Sequence, residues 1–172
     1  MKILVTGGCG YIGSATARFL RQSGHAVCVL DDLSEGHAGA WDGETKMLDL
    51  LDRDALRSWL GETSWDGVIH FAARCYVGES VEQPVRYWRH NLVPLIHLCE
   101  SLEGVPVVFS SSCAVYGVPA AGRLDETHPL RPVNPYGATK AAGERLLADR
   151  AAAGLGSFAA LRYFNAAGAD PD

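Results

Sequence analysis

Tyr136 and Lys140 are the two residues in this sequence best suited to acid–base chemistry. They stand four positions apart at the start of a run of good helix formers, and this spacing places both side chains on one face of a helix. Because a neighbouring ammonium group favours the phenolate, the pattern predicts that Lys140 lowers the pKa of Tyr136 toward a range useful for proton transfer. An ordinary surface pair has the same spacing, so the surrounding elements must decide between the two interpretations.

Ser112 is a third side chain that the sequence places near this chemistry. It closes a run of serines that follows an apolar stretch, and the pattern of 105–110 predicts a buried strand. Ligands of open α/β sheets bind at the carboxyl ends of such strands, which predicts that Ser112 hydrogen-bonds a substrate hydroxyl. In the alternative interpretation, the serines only terminate the strand.

A glycine-rich turn near the N-terminus indicates a nucleotide site. The apolar strand 2–6 leads directly into Gly7, Gly10 and Gly13, which are spaced three and three, and a helical pattern follows. This is a variant of the dinucleotide fingerprint, in which glycines allow a tight turn and let a pyrophosphate approach the helix N-terminus. The alternative is a glycine turn that closes an unrelated βαβ unit.

Asp31 strengthens the dinucleotide interpretation. It follows a second apolar strand, 26–30, at the position where such a fold places the acid that binds the ribose hydroxyls of NAD. A carboxylate here repels a 2′-phosphate, and no arginine follows it closely. We therefore predict NAD rather than NADP as the cofactor.

Short apolar runs alternate with helical patterns along the chain, which is typical of a parallel sheet with right-handed crossovers. We predict an α/β, doubly wound, Rossmann-like parallel sheet with strand order 3-2-1-4-5-6 in a three-layer αβα arrangement. Segments 34–45 and 118–133 are predicted loops. The predicted strands are 2–6, 26–30, 46–48, 68–71, 105–110 and 158–165, and the predicted helices follow Gly13, start at the possible cap Asp52, cover 80–102 and open at Tyr136.

Residues beside these predicted elements are further candidate contacts. Asp49 follows the third strand, where an acid can accept a hydrogen bond from an adenine amino group, although a solvated loop carboxylate fits equally well. Ala72 and Ala73 follow the fourth strand and leave room for a ligand. Asn91, on helix 80–102, either reaches a cofactor or is a buried amide that serves backbone groups.

Composition narrows the class of protein. The 172 residues are 48% hydrophobic and 20% charged, which favours one globular domain with its own core. The net charge of -5 argues against a nucleic-acid or anionic-membrane partner, and neither a signal peptide nor a membrane span is apparent. Five cysteines without a C-x-x-C pair indicate free thiols and a reducing cytoplasm. No metal site is predicted, since the histidines lack a ligand spacing: His70, His90 and His97.

Five motifs in order connect the chain to a known family. They are the glycine turn 7–13, Val-Gly-Glu-Ser at 77–80, the serine cluster with Val-Tyr-Gly in 110–117, Tyr-Gly-Ala-Thr-Lys at 136–140 and Arg-Tyr-Phe-Asn at 162–165. With them the whole chain resembles the UDP-glucose (UDP-galactose) 4-epimerases of the extended short-chain dehydrogenase/reductase family. The glycine motif and Tyr-x-x-x-Lys are general to the superfamily, whereas 77–80 and 162–165 are closer to the epimerases.

The resemblance implies roles for individual residues. Tyr136 would be the catalytic base, Lys140 would bind the nicotinamide ribose and Ser112 would hydrogen-bond the reacting sugar hydroxyl, while Asn165 would contact the UDP-sugar together with Ser112 and Tyr136. The residue patterns and the resemblance together give the expected cofactor contacts: Gly7, Gly10, Tyr11, Ile12, Gly13, Asp31, Asp49, Leu50, Phe71, Ala72, Ala73, Asn91, Tyr136, Lys140 and Tyr163.

The implied activity is NAD-dependent epimerisation at carbon 4 of a UDP-sugar through a transient 4-keto intermediate, in a protein that is a homodimer at full length. Related dehydratases usually carry Asp-Glu after the serines and related decarboxylases a Glu, whereas Cys113 and Ala114 stand here, which favours an epimerase. The pattern does not separate UDP-galactose or UDP-glucose from pentose substrates such as UDP-arabinose. A noncatalytic NAD-binding module is the alternative.

The chain departs from the family pattern in two respects. Cys75 stands where the epimerases often have a lysine that touches the cofactor's phosphates, and Arg74 beside it is a possible substitute. The resemblance also stops at 166–172, so residues 1–172 are expected to be the NAD-binding domain without the C-terminal substrate domain.

Overall fold

Six parallel strands form one sheet in the order β3-β2-β1-β4-β5-β6, which confirms the predicted topology. The computed structural model describes residues 1–119 and 123–169, so residues 120–122 of the predicted loop 118–133 and residues 170–172 of the predicted domain lie outside it. The strands are β1 (Lys2–Thr6), β2 (Ala26–Asp31), β3 (Thr45–Met47), β4 (Gly67–His70), β5 (Val107–Ser112) and β6 (Phe158–Tyr163).

Helices cover both faces of the sheet. They are α1 (Tyr11–Gln22), α2 (Arg53–Leu60), α3 (Val77–Glu82), α4 (Pro84–Ser101) and α5 (Pro135–Ala152), with 3₁₀ turns at Ala38–Ala40 and Cys113–Tyr116. No helix within the described ranges is long and apolar enough to cross a membrane. The five cysteines are free thiols, as predicted.

The alternation of side chains in β1 shows why the sheet is covered twice. Leu4 packs into a core shared with helices α2 and α4, whereas Ile3 and Val5 point to the opposite face and pack with Ala17 of α1. A third apolar cluster joins β5 to α4 and α5 through Phe109 and its neighbours. A strand buried on both faces must be apolar at successive positions, and this is the continuous pattern of β1 in the sequence.

The predicted helix 80–102 is in fact two helices. Helix α3 ends at Glu82, and α4 begins with Pro84 in its first turn, where proline's missing N–H costs no hydrogen bond. Pro94 lies inside α4 without ending it. Helix α2 has the predicted cap, because the Asp52 side chain accepts a hydrogen bond from the Ala55 N–H at 3.1 Å.

A buried ion pair joins α5 to the last two strands. Glu144 of α5 has an 8% exposed side chain and accepts hydrogen bonds from Arg162 of β6, the shortest at 2.7 Å. The same carboxylate accepts a 2.5 Å hydrogen bond from Ser111 of β5. Arg162 also donates to the Tyr116 hydroxyl at 2.8 Å, so four elements meet at one pair of charges.

Glu144→Gln should therefore lower the free energy of unfolding by about 2–4 kcal/mol, because it leaves the largely buried Arg162 guanidinium without a counter-charge. Urea unfolding followed by tryptophan fluorescence measures the change. The matched control on the same helix is Asp149→Asn, which breaks the exposed Arg145–Asp149 pair and should cost less than about 0.5 kcal/mol. Equal effects of the two variants would contradict this prediction.

Candidate active site

A cavity of about 600 Å³ lies along the carboxyl edge of the sheet. All six strands contribute to it through their last residues or the segments that follow them. Most of the residues that the sequence singles out line this one cavity: Gly7, Gly10, Tyr11, Ile12, Gly13, Asp31, Asp49, Leu50, Phe71, Ala72, Ala73, Ser112, Tyr136, Lys140, Tyr163 and Asn165.

The glycine turn has the geometry that close backbone packing requires. Gly7 has a φ of +69°, and a Cβ on Gly13 would lie 2.2 Å from the Gly7 carbonyl oxygen. A Cβ on Gly10 would lie 3.3 Å from the same oxygen, and Gly10 itself lines the cavity. The turn leads into the N-terminus of α1, whose first N–H groups attract anions. This arrangement fits a dinucleotide diphosphate.

Asp31 is held rigidly at the end of β2. Its two carboxylate oxygens accept hydrogen bonds from the Cys9 N–H at 2.9 Å and the Leu33 N–H at 2.8 Å, and the residue is only 7% exposed. Because each carboxylate oxygen has two lone pairs, Asp31 keeps acceptor capacity toward the cavity. It is therefore a suitable partner for ribose hydroxyls.

Tyr136 stands in the first turn of α5, and its phenol lies beside the Ser112 side chain at the end of β5. Helix α5 starts here because the Asn134 side chain accepts a hydrogen bond from the Gly137 N–H at 2.8 Å. Ser112 also accepts from the Ala114 N–H, which fixes the hydroxyl at the start of a 3₁₀ turn. The serine run thus continues the strand and also supplies a polar contact to the phenol.

The pKa of Tyr136 is not lowered in this arrangement, so the effect predicted for Lys140 stays a prediction. Removal from solvent raises the pKa of the Tyr136 phenol, and the neighbouring Ser112 hydroxyl only partly opposes this effect. The Lys140 Nζ lies 5.9 Å from the centre of the tyrosine ring and donates a 2.7 Å hydrogen bond to the Ser110 carbonyl oxygen. The burial of the phenol therefore decides the direction in which the pKa of Tyr136 shifts.

Lys140 is itself the most strongly buried cation of the site. It is 3% exposed, and desolvation lowers the pKa of its ammonium group to about 8. The charged form of Lys140 therefore predominates at neutral pH, but its pKa lies only about one unit above that pH. A ligand atom beside Nζ would replace solvation that the protein does not supply.

Asn91 does not line the cavity. Its side-chain oxygen accepts from the Arg74 N–H at 2.8 Å, and its amide donates to the Arg74 carbonyl at 3.0 Å and to the Thr139 hydroxyl at 3.1 Å. The Asn91 amide is 2% exposed, and these bonds hold a loop against α5. Asn91 is thus the buried amide that serves backbone groups, which was the second of the two interpretations of the sequence. The predicted cofactor contact is therefore replaced by a role in positioning the loop.

Several residues that line the cavity were not among the predicted site residues, and Glu35 and Tyr76 are two of them. They follow β2 and β4, so their position after strand ends was the available signal. Arg74, noted as a possible substitute for a phosphate-binding lysine, lies with them and forms a 3.1 Å ion pair with Glu35. Cys75 lines the cavity as an exposed residue.

The model of the NAD dependent epimerase/dehydratase family matches residues 3–172. The chain belongs to this family. A UDP-glucose 4-epimerase of Halalkalibacterium halodurans is 46% identical over 177 residues, which cover 100% of this chain and 53% of that enzyme. This member of the NAD dependent epimerase/dehydratase family spans about half the length of the curated relatives that it matches.

Solved structures of UDP-glucose 4-epimerases have the same fold as this chain. The UDP-glucose 4-epimerase from Brucella ovis in complex with NAD is 44% identical and superposes with a TM-score of 0.91 over 98% of this chain and 53% of that one. The enzyme from Bifidobacterium longum, in complex with NAD+ and UDP, is 30% identical with a TM-score of 0.89, covering 96% of this chain and 53% of that one. The described fold of this epimerase-family chain is therefore that of the first half of these enzymes.

The buried ammonium of Lys140 should make the stability of this family member depend on pH. Because its pKa is about 8 in the folded chain and has the ordinary value of 10.5 once the chain unfolds, the unfolded chain binds more protons between these values. The stability of the wild type relative to Lys140→Met should thus rise by about 2 kcal/mol from about pH 7 to about pH 10. Urea unfolding at both pH values measures the difference, and a difference that does not change with pH would contradict the prediction.

Proposed function

We propose that this chain binds NAD and carries the proton-transfer residues of an enzyme that epimerises UDP-sugars at carbon 4. The observation that carries the proposal is one cavity in which a glycine turn, Asp31 and the neighbouring side chains of Ser112 and Tyr136 lie together. Relatives named UDP-glucose 4-epimerase, identical at 41–46% of positions, support it.

The cofactor would lie across the carboxyl edge of the sheet. The diphosphate would approach the glycine turn and the N-terminus of α1, and Asp31 would accept hydrogen bonds from the adenosine ribose. Asp49 and Leu50 would border the adenine, and Tyr163 at the end of β6 would border the nicotinamide. The negative charge of Asp31 favours NAD over NADP, because a 2′-phosphate beside it would be repelled. When bound, NAD supplies the acceptance and return of a hydride at the sugar's carbon 4.

Tyr136 is the residue placed to exchange a proton with the sugar. Its phenol oxygen would take the proton of the 4-hydroxyl and later return it, while Ser112, which lies beside the phenol, would share that proton with the sugar oxygen. The raised pKa of Tyr136 makes its phenolate a stronger base but a less populated one. The Lys140 ammonium, which keeps most of its charge at neutral pH, would favour the ionised phenol as solvent is excluded.

UDP-galactose and UDP-glucose are the substrates we favour, with a pentose sugar such as UDP-arabinose as the alternative. Asn165, just after β6, lines the cavity near the proposed nicotinamide end and is placed to contact the substrate. Cys113 and Ala114 occupy the 3₁₀ turn where related eliminating enzymes carry acids, so this turn offers no carboxylate for such chemistry. A homodimeric state and a cytoplasmic location remain predictions.

The proposed activity is tested by incubating the purified chain with NAD and UDP-galactose, following the appearance of UDP-glucose, and measuring NAD binding separately by calorimetry. We expect binding and conversion. Binding without conversion would contradict the epimerase proposal and leave a noncatalytic NAD-binding module. A chain that binds no NAD would contradict the proposed function as a whole.

Tyr136→Phe should lower the conversion rate by at least about 10²-fold, because general acid–base groups contribute roughly 10²–10⁴-fold. Removal of one hydroxyl should leave the NAD dissociation constant within about threefold, since Asp31 and the glycine turn are unchanged. The paired rate and binding measurements separate a lost base from a damaged cofactor site. Retained turnover would remove Tyr136 from the mechanism.

A further inference from the structure

We propose that Glu35, Arg74 and Tyr76 form a clasp that closes the cofactor crevice and controls the rate at which a dinucleotide enters and leaves. The inference rests on the proposed binding of NAD and concerns how the cofactor is kept. Glu35 and Arg74 form an ion pair at 3.1 Å, and the Tyr76 phenol is close enough to the Glu35 carboxylate for that charge to raise the pKa of the phenol. All three residues line the same cavity.

The topology of the sheet shows what the clasp crosses. Strands β2 and β4 are the two neighbours of β1, and the glycine turn follows β1. Glu35 belongs to the segment after β2, whereas Arg74 and Tyr76 belong to the segment after β4. A contact between these two segments therefore passes over the glycine turn, where the diphosphate would lie.

The clasp lies on the solvent side of the cavity, because two of its side chains are exposed. The Glu35 side chain is 46% exposed and Tyr76 is 58% exposed, whereas Asp31 and Lys140 below them are buried. Entry and exit at this place require the side chains of the clasp to part. The clasp thus acts on the path of the ligand.

Both ends of the clasp are anchored to rigid parts of the fold. The backbone of Arg74 is held on both sides by the buried amide of Asn91, and its guanidinium also lies 3.6 Å from Glu79. On the other side, the segment of Glu35 rests on the glycine turn, because the His37 N–H donates to the Cys9 carbonyl at 3.0 Å. Opening therefore needs a side-chain contact to break and leaves the supporting backbone in place.

Such a clasp suits a reaction in which the cofactor ends as it began. The reduced cofactor must remain until it has returned its hydride, so slow release protects the cycle. A barrier shared by entry and exit slows both steps without changing the affinity. This kinetic pattern distinguishes a clasp from an ordinary binding contact, which changes mainly the release rate.

The test compares Glu35→Gln with the wild-type chain in stopped-flow binding of NADH, whose fluorescence reports association and release. Loss of the charge should raise both rate constants about two- to fivefold, the range that removal of a partly exposed ion pair allows, while the dissociation constant changes less than about twofold. Tyr76→Phe should raise both rates by a smaller factor. High salt should bring the wild type toward Glu35→Gln, because the ion pair is screened.

Glu100→Gln is the matched control. Glu100 has the same 46% exposed side chain and forms a 2.8 Å pair with Arg53, which lies outside the residues that line the cavity. It should change neither rate constant. A similar acceleration in Glu100→Gln would overturn the proposal, because a general charge effect would then explain it.

Other outcomes are equally decisive. If Glu35→Gln weakens binding with an unchanged association rate, Glu35 is an ordinary contact and the clasp is wrong. If Glu35→Gln tightens the binding of NADH, Glu35 only repels the diphosphate and the clasp is wrong. If both rate constants are unchanged, the ion pair has no part in the exchange of the dinucleotide, which also overturns the proposal. A wild-type chain that binds no NADH would instead overturn the proposed function, and the clasp with it.

Discussion

The buried carboxylate of Glu144 makes the interaction on which the carboxyl end of the sheet depends at β5 and β6. It links α5 to β5 through Ser111 and to β6 through Arg162, which in turn contacts Tyr116. Tyr136 is carried by the same helix, two turns earlier. Because a buried charge without a partner is very costly, the helix and the strands hold a single relative position. This contact therefore holds the helix that carries Tyr136 against the ends of β5 and β6.

Burial also decides how the site is charged. Lys140 is enclosed between α5 and the sheet with a backbone carbonyl as its hydrogen-bond partner, and Tyr136 is withdrawn from water beside it. The pKa of the lysine falls and that of the tyrosine rises for the same reason, because each charged form has lost solvation. The pair is thus poised to respond to a ligand that brings new charges or hydrogen bonds into the cavity.

Much of the fold is predictable because local pattern and general topology rules agree. Continuous apolar runs mark strands buried on both faces, and right-handed crossovers leave few possible strand orders. The main difference lies at Gln83, where two helices replace one, since apolar periodicity continues across a break that Pro84 and its backbone geometry create. In the site, residues at strand ends were predictable because parallel strands end at one edge of the sheet.

What the sequence by itself determined is which chemical groups exist and which strand ends carry them: the glycine turn, Asp31, Ser112 and the pair Tyr136 and Lys140. Tertiary structure alone decided their electrostatics and their partners. It raised the pKa of Tyr136 and gave the amide of Asn91 to a loop. It also paired groups such as those of the clasp, which are distant in the chain. These outcomes depend on burial and on the distances between residues that are far apart in the chain. The local spacing of residue types in the sequence determines neither quantity.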